Sequence, residues 1–210
     1  MAMWTFRLFG FRVVVQSGFA ILAGLFALLA LQGGAGLLEA MAWPVIVFGS
    51  ILVHELGHAF TAQRLGLRVG DIELHMMGGE VTHARTQPAR QLLISLAGPL
   101  AGLALGSAAL ALSVVLPDSS VLSVLVFVNI GWSIFNLLPV LPLDGGNALR
   151  AAIGLGTPET VALRITAGIG LLLAALGLAY ALTAGRWWLT FLFGMFLWNN
   201  LQIFQQLRRV

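Results

Sequence analysis

The stretch Ile51-Leu-Val-His-Glu-Leu-Gly-His-Ala-Phe60 sets two histidines and a glutamate in a segment that is otherwise apolar. An α-helix carries residues i and i+4 on one face, so His54 and His58 can aim their imidazoles at a single metal ion. Glu55, about 100° further round the helix, reaches a water molecule held at that ion. Zinc matches this donor set: it accepts imidazole nitrogen, tolerates a tetrahedral site with one open position, and lowers the pKa of its water toward about 7. Glu55 is then the candidate base, taking the proton of that water and handing it to a leaving amine.

The surroundings decide what kind of fold holds this helix. Of 210 residues, 59% are hydrophobic and only 9% are charged, whereas a soluble domain carries about 25% charged residues. Mean hydropathy is +0.96. This is the composition of an integral membrane protein, in which ionisable side chains within a span are costly and mark functional sites. There is no cysteine, so disulfides and thiolate metal sites are excluded, and any metal falls to His, Asp or Glu. All 11 basic residues are arginines. They explain a pI near 11.0 without a basic run that would grip nucleic acid, and no nucleic-acid partner is expected.

Windows of roughly 20 apolar residues, the length that crosses a hydrocarbon core, fall at about 13–31, 43–65, 90–116, 121–143, 160–183 and 187–206. The expected fold is an all-α polytopic membrane protein with about six transmembrane helices, taken as one domain over residues 1–210. The first window follows Arg7 and Arg12 as a signal peptide would, yet no clear small-residue cleavage site comes after it, so it reads as a span. With six spans, Arg7, Arg12, Arg64, Arg68, Arg85, Arg90, Arg150, Arg164, Arg208 and Arg209 share the side of the termini, and Arg186 alone lies opposite. The positive-inside rule makes both termini cytoplasmic, in what is expected to be a prokaryotic cell membrane.

The connection at about 66–89 has a pattern of its own. Ile72, Leu74 and Met76 alternate with Asp71, Glu73 and His75, then Gly78-Gly79 offers a two-residue turn before Glu80-Val-Thr-His83. This predicts a small β-hairpin on the cytoplasmic side, between the second and third spans. Its exposed edge, at 70–77 or 80–84, could hold an extended substrate by strand addition; the alternative is an interfacial anchor. His75 and His83 are either extra metal ligands, needed only if Asp144 is not one, or solvated hairpin or interfacial residues, the commoner case. Gly98, Gly102 and Gly106 recur every four residues, a ridge that lets helix backbones approach closely. Trp4, Trp43, Trp187 and Trp188 fall near span ends, where indoles anchor at the interface.

A third ligand has to come from elsewhere. A metzincin needs glycine at 61 and histidine at 64, where this chain has Thr61 and Arg64. A thermolysin-like glutamate comes from a following helix, and Glu80, after two glycines, is in poor helix. Glu39 and Asp118 fall on the far side of the membrane. Asp144 remains, in Asn136-Leu-Leu-Pro-Val-Leu-Pro-Leu-Asp-Gly-Gly146. Pro139 and Pro142 must break the helix there, and irregular backbone at membrane depth is tolerated where protein shields it or it lines a wet cavity.

These residues resemble the site-2 proteases, intramembrane zinc metalloproteases of the M50 type. The resemblance rests on His54-Glu-Leu-Gly-His58, on Ser95-Leu-Ala-Gly-Pro99, and on Phe135-Asn-Leu-Leu-Pro139 leading to Pro142-Leu-Asp-Gly-Gly146, and covers about residues 43–150. It implies cleavage of transmembrane substrates within the lipid bilayer, one zinc ion per chain on His54, His58 and Asp144, and Glu55 as catalytic base. It further implies that Asn136 assists near the scissile peptide; the other reading of Asn136 is polar glue between helices. No segment is long or polar enough for the PDZ or CBS domains that some relatives carry, so the chain resembles the bare membrane core. Two competing functions are a metal-ion transporter and a catalytically inactive relative that binds membrane partners. Transporters place polar residues along a path through both halves of the membrane, unlike the confined cluster here. Oligomeric state cannot be read from the sequence.

Overall fold

In the computed structural model, which describes residues 2–207, the chain begins with strands. Phe9 and Gly10 have φ of 51° and 89° and turn the chain between β1 (Ala2–Leu8) and β2 (Phe11–Gln16), since a two-residue hairpin turn with both central φ positive matches the twist of its strands. The helix expected over 13–31 therefore starts later, as α1 (Ser17–Gln32). Val13-Val14-Val15 is as apolar as a span, but β-branched side chains suit a pleated surface. Strands β3 (Val69–His75) and β4 (Gly78–His83) are the expected hairpin. It is enlarged to a four-stranded sheet of order β1-β2-β3-β4, in which β2 and β3 run parallel, Val13 opposite Ile72 and Val15 opposite Leu74. Arg12 pairs with Asp71 at 3.4 Å, and Gln16 Nε2 donates to Glu73 Oε2 at 2.7 Å. The tight turn falls at Met76-Met77, two residues before the position expected from the glycines.

The remaining helices are α2 (Leu37–Arg64), α3 (Pro88–Ser113), α4 (Ser120–Asn136), α5 (Asp144–Gly154), α6 (Glu159–Thr183) and α7 (Trp187–Gln206). Of these, α2, α3 and α6 are long and apolar enough to cross a membrane, while α1 and α4 are shorter apolar helices. The 16 residues of α1 rise only about 24 Å at 1.5 Å each, against about 30 Å of hydrocarbon. α4 stops at Asn136, ahead of both prolines. Arg208 and Arg209, which entered the topology argument, lie outside the described residues.

Two compact units divide the chain, one of residues 1–85 and 97–135, the other of 86–96 and 136–210. In the first, α1 and α2 pack on each other and on the sheet. Its core joins Phe11, Val13 and Val15 of β2 and Ile72 and Leu74 of β3 to Val47, Ile51, Leu52, Leu56 and Ala59 of α2. Trp43, expected near the interface, stacks on Phe26 of α1, ring centroids 5.8 Å apart. The glycine ridge of α3 meets α4: a Cβ at Gly106 would lie 2.7 Å from Ile130 Cγ1, and one at Gly102 would overlap Ser133 Oγ. In the second unit α6 packs on both α5 and α7.

Candidate metal centre and active site

In the first unit, α2 buries its histidine face. His54, Glu55 and His58 retain 3%, 4% and 8% of their exposure. The Nε2 atoms of His54 and His58 stand 3.3 Å apart, with the rings nearly perpendicular at 78°. Two nitrogens bound to one tetrahedral zinc at about 2.0–2.1 Å are about 3.3–3.4 Å apart. The pair therefore has the separation that a shared zinc ion requires.

Glycines clear the space around these side chains. Gly57, inside the histidine motif, faces α3, where a Cβ would come 2.6 Å from Ala97 O and 2.9 Å from Ala101 Cβ; the two helix backbones approach this closely because the atom is missing. Gly98 of α3 reciprocates, since a Cβ there would overlap the imidazole of His58 at Nε2. Gly79 of β4 does the same for Glu55: a Cβ would fall 2.5 Å from its Cγ and 2.6 Å from its Oε1. Glu55 thus lies against the sheet's edge strand. One turn before His54 on the same helix face, buried Ser50 accepts a 2.9 Å hydrogen bond from Asn129 Nδ2 of α4.

The second unit holds Asp144 and Asn136. Asn136 is the last residue of α4. Residues 137–143 then run without regular structure, and Asp144 opens α5, where the positive end of the helix dipole favours a carboxylate. The two glycines after it let α5 turn back on this segment. A Cβ at Gly145 would overlap the Leu137 carbonyl, and one at Gly146 would lie 2.6 Å from Val140 C.

Other sequence candidates are placed apart from the metal motif. His75 and His83 sit at opposite ends of the β3–β4 ladder, opposite Gly78 and Val69 respectively. His75 Nδ1 accepts from Met77 N at 3.2 Å, and neither histidine belongs to a metal-ligating group among the described residues. Glu80 is in a strand, opposite Glu73. β3 is paired on both sides, so the edge offered at 70–77 is closed and β4 keeps the open one. Sequence reasoning missed the parts played by Gly57, Gly79 and Gly98; the motif Ser95-Leu-Ala-Gly-Pro99 was the available signal for the last.

The family model for Peptidase M50B-like proteins matches residues 21–141, and that for Peptidase family M50 matches residues 118–177. A Synechocystis protein provisionally named a zinc metalloprotease is 31% identical over 187 residues, 81% of this chain and 48% of the relative. A Mycobacterium tuberculosis protein provisionally named zinc metalloprotease Rip3 is 37% identical over 67% of this chain and 39% of its own length. The chain thus spans about half or less of the curated relatives it matches. The solved structure titled Site-2 Protease from Methanocaldococcus jannaschii has the same fold, with a TM-score of 0.72 and 24% identity over 96% of this chain and 95% of that one.

Proposed function

The chain belongs to the M50B-like peptidase family, and from that membership we propose that it is a zinc-dependent endopeptidase that cleaves transmembrane segments of other membrane proteins inside the bilayer. The observation that carries this reading is the buried pair of imidazole nitrogens 3.3 Å apart, with a carboxylate on the next residue, in a helix apolar and long enough to cross a membrane.

Each residue then has a distinct task. His54, His58 and Asp144 hold one zinc ion, which when bound polarises the scissile carbonyl and acidifies water. Glu55 takes the proton from the attacking water and delivers it to the departing amide nitrogen. Asn136 binds the peptide next to the bond that breaks. β4 is both the open edge strand and the strand against Glu55, so a substrate unwound from its helix and paired along β4 is drawn out beside the base. Extension matters because peptide groups engaged in a helix are shielded from attack.

The membrane arrangement follows from the arginines. On this reading the windows occupied by α1, α2, α3, α4, α6 and α7 are six spans, the short α1 and α4 crossing with the help of flanking residues or a locally thinned bilayer, with both termini and the β3–β4 hairpin facing the cytoplasm of a prokaryotic cell.

Glu55→Gln tests the assignment. It keeps size and hydrogen bonding but removes the base, so the purified variant should hold about one zinc per chain and lose cleavage of single-span substrates by orders of magnitude. Turnover near the wild-type rate would sink the mechanism, whatever the metal content.

A further inference from the structure

We propose that Asn200 of α7 is a positioning residue for Asp144, fixing the irregular segment that delivers this carboxylate and thereby setting zinc affinity. The proposal rests on the reading of Asp144 as a zinc ligand. Backbone without regular structure must find partners for its polar groups, and in apolar surroundings an unmet carbonyl is costly. Asn200 Nδ2 supplies such a partner, donating to Leu141 O at 2.7 Å while also bonding Phe196 O one turn back at 2.8 Å. The side chain is 0% exposed. Its Oδ1 makes no hydrogen bond among the described residues, a penalty that an apolar side chain would not incur. The amide is therefore explained by what its donor holds.

The neighbouring helix is shaped around it. Gly170 of α6 lacks the Cβ that would overlap Asn200 Oδ1 and lie 2.7 Å from its Cγ. From the other side Asn147 Nδ2 donates to Pro142 O at 3.0 Å and to Leu143 O at 3.3 Å, and Gly146 lies against the Val140–Leu141 peptide. The carbonyls of Leu141, Pro142 and Leu143, the three residues before Asp144, are thus each held by a side-chain amide. Metal bonds tolerate only about 0.2 Å of error. Releasing the Leu141 carbonyl frees the segment at the point where Asp144 must be exact in place.

The test is a cycle of variants in the full chain, read as zinc affinity by chelator competition. Asn200→Leu, close in size but without a donor, is expected to weaken zinc about 10- to 100-fold, as loss of a partner behind a ligand does. In an Asp144→Ala background the same change should add less than about twofold, because its route is already cut. Gly170→Ala, which displaces the amide without deleting it, should weaken zinc in the same Asp144-dependent way, and it decides the matter if Asn200→Leu does not fold. Wild-type affinity in the variant that folds, or an equal loss with and without Asp144, would overturn the proposal while leaving the ligand set intact. Unchanged affinity in Asp144→Ala alone would instead overturn the ligand assignment, and this proposal with it.

Discussion

Gly98→Ala adds one methyl group to α3, and the structure says what that methyl meets. The new Cβ would stand 2.6 Å from Cε1 and 2.7 Å from Cδ2 of His58, where ordinary carbon contacts are about 3.5–4.0 Å. The ring has to retreat by about 1 Å, several times what a metal bond allows, or α3 has to recoil against its close contact with Gly57. Forcing a methylene into a packed site costs about 1–3 kcal/mol. Charged to zinc binding at 1.4 kcal/mol per decade, this is a loss of roughly 5- to 150-fold in affinity. Chelator competition on the purified protein measures it, with Gly49→Ala as comparison: Gly49 is on the histidine helix itself, yet nothing lies within 4 Å of a Cβ built there, so zinc affinity should hold. The refuting result is Gly98→Ala that stays folded and binds zinc as tightly as the parent.

Gly79→Ala should separate chemistry from metal binding, since its Cβ strikes Glu55 rather than a histidine; cleavage is expected to fall at least tenfold with zinc content unchanged, and parallel loss of both would show that Gly79 supports the fold instead. For topology, accessibility tags placed within 68–88 and after Val210 should both report the cytoplasm, and a tag near Asp118 the opposite side. A hairpin tag reporting the outside would undo the six-span arrangement.

The parts of the fold that repeat locally were legible. His54, Glu55 and His58 are set by helical spacing alone, and Pro139 and Pro142 announce that α4 must end, which it does at Asn136. Alternation gave the β3–β4 hairpin. β1 and β2 escaped because a hydropathy window weighs Val13-Val14-Val15 the same in a strand as in a helix, and the turn signal Phe9-Gly10 was absorbed into the run-up to a span. The glycines at 78 and 79 suggest a turn because their usual role is conformational; at Gly79 the requirement is an absent Cβ against Glu55, 24 positions earlier in the chain. Nor does any local pattern mark Asn200 as the partner of Leu141, since that bond spans 59 residues.

The parallel pairing of β2 with β3 also sets an order of events during synthesis. Gln16 and Glu73, bonded across that pair, are 57 positions apart; at about 5–20 residues per second, the first hairpin leaves the ribosome roughly 3–11 s before its partner strand does. Through that interval β2 has an unsatisfied edge, the kind that recruits foreign strands, while α1 and α2 are still being made. Closing the sheet then ties the start of α1 to the exit of α2 and completes the floor beneath the histidine helix. Seating of Glu55 therefore waits on a late, long-range event: a ribosome-bound chain ending before residue 75 would carry His54, Glu55 and His58 and lack both Asp144 and the β4 strand against which Glu55 lies.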